Sequence, residues 1–285
     1  MDYIMPKTVQ EAIQALAGAK GKGRAIAGGT DALLDLEEGK YSTELLVDVT
    51  GIPELREIKC EYDMLVIGAA ACMTDISRSS LVRKYAPSLA EAAAAVGSRQ
   101  IGNAATLAGN VVSAQPAADG AMALATLEPE FIIEGLDGWR AATMAEMYAG
   151  FGRSCVGSTR EVLTFIKVPC LKEGEASAFT RLEMRKALAL PMLNVSAAAK
   201  LCDGVFEWVR IAMGPVGVGP VRAATAEKWL ARKEASAENI RKAARLALKD
   251  ANPRSSPLRG SREYRMQTLP VMVERALTSL GLEVL

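Results

Sequence analysis

The sequence predicts an α+β protein built in three parts. Three observations carry that reading. In the first half, short apolar runs end in glycine and pass straight into helix starts, as at Ile26-Ala27-Gly28-Gly29. Asp137-Gly138 and Asp203-Gly204 each sit between apolar segments, the short-range signal for antiparallel hairpins. The texture then changes at 171–177, where KEGEAS is polar and loop-like, so a boundary falls there. With a second break at Gly51-Ile52-Pro53, the parts are 1–53, 54–173 and 174–285.

Taken in order, Thr8 with Glu11 has capping-box spacing and starts an Ala-rich helix to about Ala17. Gly18 to Gly23 breaks it, and Arg24 to Ala27 reads as a short buried strand. Gly28-Gly29-Thr30-Asp31 follows, with Thr30 or Asp31 placed to cap the next helix. Leu45–Val49 and Met64–Gly68 read as strands, and Thr74-Asp75 opens a helical run. Pro87 to Glu91 repeats the capping logic, and Gly97 is placed as a C′ glycine. Ile101 to Asp119 is a small-residue loop between helices, and Met122–Leu127 is the helix after it. Phe131–Glu134 and Trp139–Ala141 form a hairpin, and Glu161–Val168 is a strand closed by Pro169. In the last part, Asn194–Leu201 and Val205–Met213 pair across Asp203-Gly204, while GPVGVGP cannot be regular structure. Helices follow at about 222–232, 237–249 and 261–280, the last with Pro270 as a kink or start.

At 285 residues with 50% hydrophobic and 24% charged, the composition is that of an ordinary globular chain. A net charge of +1 provides no electrostatic footprint for nucleic acid or an anionic membrane. No apolar run reaches the roughly 18 residues of a membrane span. MDYIMPKTVQ lacks the layout of a signal peptide, so the expected location is cytoplasmic. The five cysteines are scattered without a C-x-x-C pair and read as buried structural thiols in a reducing compartment. There is no histidine. That removes Ser-His-Asp and Cys-His catalysis and histidine-ligated metals. No catalytic side chain and no metal site is assigned, and any chemistry would come from a bound cofactor.

Two stretches are candidate anion cradles. Gly28 to Asp31 lies between a strand and a helix start, where glycines bend the chain and free N–H groups can meet a phosphate. Gly102, Ala104, Ala105, Thr106, Ala108, Gly109 and Asn110 likewise leave the main chain open to close approach. Taken alone, each serves as well as an ordinary turn. The P-loop pattern does not occur, and Gly21-Lys22-Gly23 lacks the third glycine of the dinucleotide fingerprint.

Together these residues carry a family resemblance. Ala27-Gly28-Gly29-Thr30-Asp31-Ala32 resembles the first FAD loop of the flavoprotein (medium) subunits of molybdenum hydroxylases, the xanthine dehydrogenase and carbon monoxide dehydrogenase group. Gln100-Ile101-Gly102-Asn103, Thr106-Leu107-Ala108-Gly109-Asn110 and Pro116-Ala117-Ala118-Asp119 resemble the second loop, in the same order. Leu65 to Ala69 with Thr74-Asp75-Ile76 resembles the strand and helix start between them. Arg185-Lys186-Ala187-Leu188, Arg210 to Gly214 and Pro220 to Ala223 resemble the C-terminal domain. The resemblance implies two subdomains of the vanillyl-alcohol-oxidase type holding FAD, closed by a C-terminal domain of antiparallel sheet and helices. It implies substrate hydroxylation at molybdopterin in a large subunit, electron transfer across two [2Fe–2S] clusters in a small subunit, and passage through this chain's FAD to an external acceptor. A dimer of heterotrimers is the expected assembly. By the same resemblance FAD contacts fall on Ala27, Gly28, Gly29, Thr30, Asp31, Ala32, Thr106, Ala108, Gly109 and Asn110. Asp119 is placed at the ribityl chain or ring edge, and Arg181 at the pyrimidine end.

The sequence departs from the family pattern at several points. Ala108 stands where glycine is usual, adding a methyl that would tighten or displace the pyrophosphate fit. Gly102 and Ala104 replace arginines, Arg181 replaces a lysine and Ala189 an aspartate. Arginine keeps its charge at any working pH, so the flavin's potential and its acceptor are left open. A non-catalytic assembly subunit of similar fold stands as the alternative. A free-standing oxidase with histidyl-linked flavin is ruled out by the missing histidine, a cysteinyl link is not.

Overall fold

The computed structural model describes residues 1–185 and 188–281. Its strands fall into three main sheets taken in chain order. The first is parallel, with β1 (Asp2–Ile4), β2 (Gly23–Ile26) and β3 (Leu45–Asp48) in the order β1-β3-β2. Helix α1 (Val9–Gly18) covers it. Val9, Ala12, Ile13 and Leu16 are buried at the spacing of one helix face, and Thr8 Oγ1 accepts from Glu11 N at 3.1 Å. Helix α2 (Ala32–Glu37) leaves the same sheet and buries none of its side chains.

The second sheet is antiparallel. Its strands are β4 (Ile58–Glu61), β5 (Met64–Gly68), β6 (Glu130–Gly135) and β7 (Gly138–Thr143). Past the small hairpin of β8 (Tyr148–Gly150) and β9 (Arg153–Ser154), β10 (Glu161–Pro169) runs through the middle, in the order β4-β5-β10-β6-β7. Between β5 and β6 come six helices: α3 (Met73–Arg78), α4 (Ser80–Tyr85), α5 (Pro87–Ala94), α6 (Arg99–Ala104), α7 (Leu107–Val112) and α8 (Asp119–Leu124). A further turn, α9 (Met144–Met147), precedes β8. One hydrophobic core joins the first two sheets, from Leu16 and Val47 through Leu65, Leu107 and Leu124 to Phe131 and Ile166. Alanines make that close packing possible: Ala90, Ala92 and Ala93 of α5 are buried with Leu89.

The third sheet has its own core. β11 (Glu175–Leu182), β12 (Leu193–Cys202), β13 (Val205–Gly214) and β14 (Val221–Arg222) pair antiparallel in sequence order. Asp203 and Gly204 both take positive φ, 50° and 73°, the two-residue turn their types favour. Helices α10 (Ala224–Leu230), α11 (Ala237–Leu246) and α12 (Arg262–Thr278) pack on this sheet, burying Leu230, Ile240, Leu269 and Leu277 against Val195 and Ile211. α12 continues through Pro270. The sheet reaches the middle unit through α5, where Ser88 N donates to Ser177 Oγ and Phe179 N to Glu91 Oε2, at 3.1 and 2.9 Å.

Several expectations are corrected. Residues 101–119 are not a loop but hold α6, α7 and the start of α8, because Ser98 and Thr106 each cap a turn and a half of helix. α3 is capped by Cys72 and starts before Thr74. Gly97, φ +60°, lies two residues past the Ala95 cap of α5 rather than one. The first hairpin turns on Leu136-Asp137, since Gly135 pairs with Gly138. The cysteines are not all buried. Cys170 is, but Cys60 and Cys202 are exposed and Cys72 and Cys155 half-buried. Lys186 and Ala187, part of one family-like motif, lie outside the described residues.

Candidate functional site

Strand β2 delivers the chain to the first cradle. Gly29 adopts φ +71°, a conformation side-chain-bearing residues rarely take. Gly28 lies against α6, where a Cβ would overlap the Ala104 carbonyl oxygen and come 3.0 Å from Ala105 N. Among the described residues, the N–H groups of Gly28, Gly29, Thr30 and Asp31 find no acceptor. Four consecutive unpaired donors in a bend make an anion-binding concavity. Asp31 stands at the cap position of α2 with no side-chain cap bond. The far end of this segment is held by Tyr41, which donates to the Ala32 carbonyl at 2.5 Å under the Arg24 guanidinium, 4.0 Å from its ring.

The second stretch meets the first through Ala104. Met73 N donates to Ala105 O at 2.8 Å, pinning the connection to α3. Thr106 Oγ1 accepts from Gly109 N at 3.0 Å, and Thr106 O accepts from Asn110 N at 3.0 Å. The Leu107 N–H is turned to Ala71 by the antiparallel bridge between Cys72 and Thr106, so the first-turn N–H left without an acceptor among the described residues is that of Ala108. A Cβ on Gly109 would meet only Thr106 Oγ1, at 3.1 Å, and otherwise open space. Ala108 corrects an expectation: its side chain is buried in the core, so its methyl does not crowd the cradle. Asn110 Oδ1 accepts from Ala121 N at 3.1 Å and so ties α7 to the start of α8.

Asp119 opens α8 and is buried. Asn194 Nδ2 of β12 donates to its Oδ1 at 2.7 Å, and Arg181 Nη1 of β11 lies 3.6 Å from its Oδ2. The Arg181 side chain is 10% exposed and also donates to the carbonyls of Ala95 and Ala189. Its Nε is 3.2 Å from Glu183 Oε2, near enough for an ion pair though not aligned as a hydrogen bond. Burial pushes the Asp119 carboxyl up to about 6, against the pull of Arg181 and the Asn194 hydrogen bond. Asn194 Oδ1 is buried without a partner. Beside this network a cavity of about 610 Å³ opens between the end of α5 and β11, with Glu91, Arg99, Phe179, Arg181, Glu183 and Leu188 in its wall.

The predicted residues thus form two clusters: Gly28 and its neighbours against Ala104 at the end of α6, and Asp119 with Arg181, with Asn110 tying α7 to the start of α8. Asn194, Glu183 and Glu91 were not foreseen. An asparagine in the otherwise small and apolar run LNVSAAA was the available signal for the first of these.

Residues 1–171 match the family described as the FAD binding domain in molybdopterin dehydrogenase, and residues 178–280 the CO dehydrogenase flavoprotein C-terminal domain. The chain belongs to the FAD-binding subunits of the molybdenum hydroxylases. It is 31% identical to the nicotinate dehydrogenase FAD-subunit of Eubacterium barkeri over 80% of this chain and 79% of that one. It is 29% identical to the carbon monoxide dehydrogenase medium chain of Hydrogenophaga pseudoflava over 98% and 96%. A solved structure of carbon monoxide dehydrogenase from that organism superposes with a TM-score of 0.92 at 28% identity, covering 99% of this chain and 97% of that one. Quinoline 2-oxidoreductase from Pseudomonas putida 86 follows at 0.91 and 26%, covering 99% and 98%. The family's cofactor is FAD, and this flavoprotein subunit is an oxidoreductase component. The fold is the expected one, an FAD-binding unit followed by a C-terminal domain of antiparallel sheet and helices. Among the described residues no helix is long and apolar enough to cross a membrane, and no three metal-ligating side chains gather. The unpaired donors at Gly28–Asp31 and the open face of Gly109 fit a pyrophosphate.

Proposed function

We propose that this chain carries electrons from a partner's [2Fe–2S] clusters through FAD to an external acceptor. The observation that carries the proposal is the run of four N–H groups at Gly28–Asp31 without an acceptor among the described residues, packed on Ala104 at the end of α6. Bound FAD would supply both two-electron and one-electron transfer. The backbone of Gly28 to Ala32, with Ala108 of the Thr106–Asn110 turn, would hold the pyrophosphate. Asn110 sets the start of α8, and so places Asp119 toward the ribityl chain. Arg181, anchored on both sides by main-chain carbonyls, presents a fixed cation at the edge of the cavity, where the pyrimidine end of the ring would come. Phe179 and Leu188 in the cavity wall would offer that end an apolar surface.

The partners are argued from the relatives, which include a medium chain of carbon monoxide dehydrogenase, and from a family described as belonging to molybdopterin dehydrogenase. Substrate oxidation and cluster chemistry need a small [2Fe–2S] subunit and a larger molybdopterin subunit, in a cytoplasmic dimer of heterotrimers. Co-expression with the two neighbouring reading frames, followed by size exclusion, tests this. A chain that oxidises substrate by itself as a monomer would overturn it.

Gly109→Val tests the cradle. The valine side chain projects into open space apart from Thr106 Oγ1, so the fold should hold while the cofactor's approach is blocked. Flavin occupancy should fall at least about tenfold with a loss of stability under roughly 1 kcal/mol. Full occupancy in a folded variant would move the pyrophosphate elsewhere. Gly29→Val is a poorer test, because φ +71° strains any replacement.

Arg181→Gln should lower the flavin midpoint potential and Arg181→Lys should hold it. Asp119 and Glu183 offset much of the cation, so the shift is about 1 kcal/mol, on the order of 20 mV for a two-electron couple. Redox titration at equal flavin occupancy measures it. An unchanged potential in Arg181→Gln would take the guanidinium out of the ring's environment.

A further inference from the structure

Away from the flavin loops, the chain leaving β10 crosses the end of β5 and is clipped to the turn between β4 and β5. Cys170 N donates to Asp63 O at 2.8 Å, Leu171 N to Tyr85 O at 3.1 Å, and Lys172 Nζ pairs with Asp63 Oδ2 at 3.5 Å. The turn itself is tight, with Tyr62 and Asp63 at φ 50° and 61°. These contacts bring Cys60 of β4 beside Cys170, sulfur to sulfur at 3.3 Å, across 110 residues of chain. Cys60 is exposed and Cys170 buried. We propose that Cys60 and Cys170 form a modification site: a thiol pair that a hydroperoxide oxidises to an intramolecular disulfide.

The pair is held together by groups other than the sulfurs. Backbone hydrogen bonds and an ion pair fix the exit of β10 on the hairpin, so no search through conformations precedes the reaction. The sulfurs need to come only about 1.3 Å closer for a covalent bond, a distance side-chain rotation supplies. Their roles differ by exposure. Burial and the neighbouring Cys60 push the Cys170 thiol up to about 12, so the solvent-facing sulfur reacts first. Cys60 as thiolate attacks one oxygen of hydrogen peroxide, the O–O bond breaks, and hydroxide leaves to become water. The sulfur, now a sulfenic acid, has lost two electrons to the peroxide. The Cys170 sulfur then attacks the Cys60 sulfur, the S–O bond breaks, and the departing hydroxide takes the Cys170 proton as a second water. Two thiols and one peroxide become one disulfide and two waters. No other thiol is drawn into a cysteine pair among the described residues: Cys72 bonds to Asp75, Cys155 lies against Met147 and Arg140, and Cys202 against Asp203. The disulfide would tie the first strand of the five-stranded sheet to the chain leaving its middle strand, just before β11, the strand that carries Arg181.

The test uses the full-length flavoprotein with Cys202→Ser, which removes the other exposed thiol. It is treated with hydrogen peroxide, alkylated, digested without reductant and analysed by mass spectrometry. The expected product is a Cys60–Cys170 linked peptide lighter by two hydrogens, from protein that remains unlinked between chains. Closing so long a loop should raise the melting temperature by on the order of 5–10 °C, reversed by dithiothreitol. Cys60→Ser, at an exposed position, should fold normally and show neither change. Sulfinic acid at Cys60 with Cys170 still free, a Cys60 disulfide between chains, or an unoxidised Cys60 would each overturn the proposal.

Discussion

Gly28→Ala should cost both stability and flavin. The added Cβ overlaps the Ala104 carbonyl oxygen and stands 3.0 Å from Ala105 N. Neither backbone atom can move cheaply, because Ala105 N is bonded to Ile101 O at 2.7 Å and Ala105 O to Met73 N at 2.8 Å. Forcing backbone apart in a packed region costs about 3 kcal/mol, and here it separates the two cradle segments as well. Urea denaturation and flavin absorbance measure the two losses. Gly68→Ala is the matched control. Its Cβ collides with the backbone of Leu55, so it should destabilise to a similar degree. Gly68 belongs to neither cradle segment, and below its melting temperature that variant should keep its flavin. If Gly28→Ala is as stable and as yellow as the parent, the close approach at Ala104 does not form.

The second large effect is the pH dependence set by Asp119. Its carboxyl titrates at about 6 in the folded chain against an ordinary 3.8. The folded state therefore binds this proton more tightly than the unfolded state. The associated stability is fully present below the ordinary value and is lost as pH rises through about 6. Two pKa units correspond to roughly 3 kcal/mol. Asp119→Asn keeps an acceptor for Asn194 and cannot ionise. In flavin-free protein the variant should lose to the parent below pH 4 and gain on it steadily up to pH 7. Denaturant midpoints across that range give the comparison. A stability difference independent of pH would mean that Arg181 and Asn194 hold the carboxylate ionised throughout. With FAD bound, the same substitution leaves Arg181 paired only to Glu183, so the loaded protein should bind flavin more weakly even where the bare fold is more stable.

Local chemistry explains what could be read early. Thr8 with Glu11 marks the start of α1, because the threonine oxygen reaches a free N–H group of the next turn. Ser98 and Thr106 cap α6 and α7 in the same way, but no apolar periodicity follows them, so residues 101–119 read as a loop. Asp203-Gly204 specifies a hairpin through two positive φ angles that few other pairs adopt. β4 lacked such a sign. Its turn, Tyr62-Asp63, takes the same conformation without a glycine, stabilised by neighbours rather than by residue type. β1 was equally silent, since Asp2–Ile4 is three exposed residues paired to β3.

The sequence by itself determined the α+β class, the last hairpin and, through the resemblance, the FAD-binding family. Those depend on residues close together in the chain, or on motifs whose order survives without coordinates. Tertiary structure alone decided that Ala108 faces the core, that the donors left open among the described residues are Gly28–Asp31 and Ala108, and that Asn194 holds Asp119 while Arg181 is shared between two carboxylates. It alone brought Cys60 to Cys170. In each case the deciding contact joins residues far apart in the chain, and a side chain's burial and electrostatic surroundings are set by what folds against it.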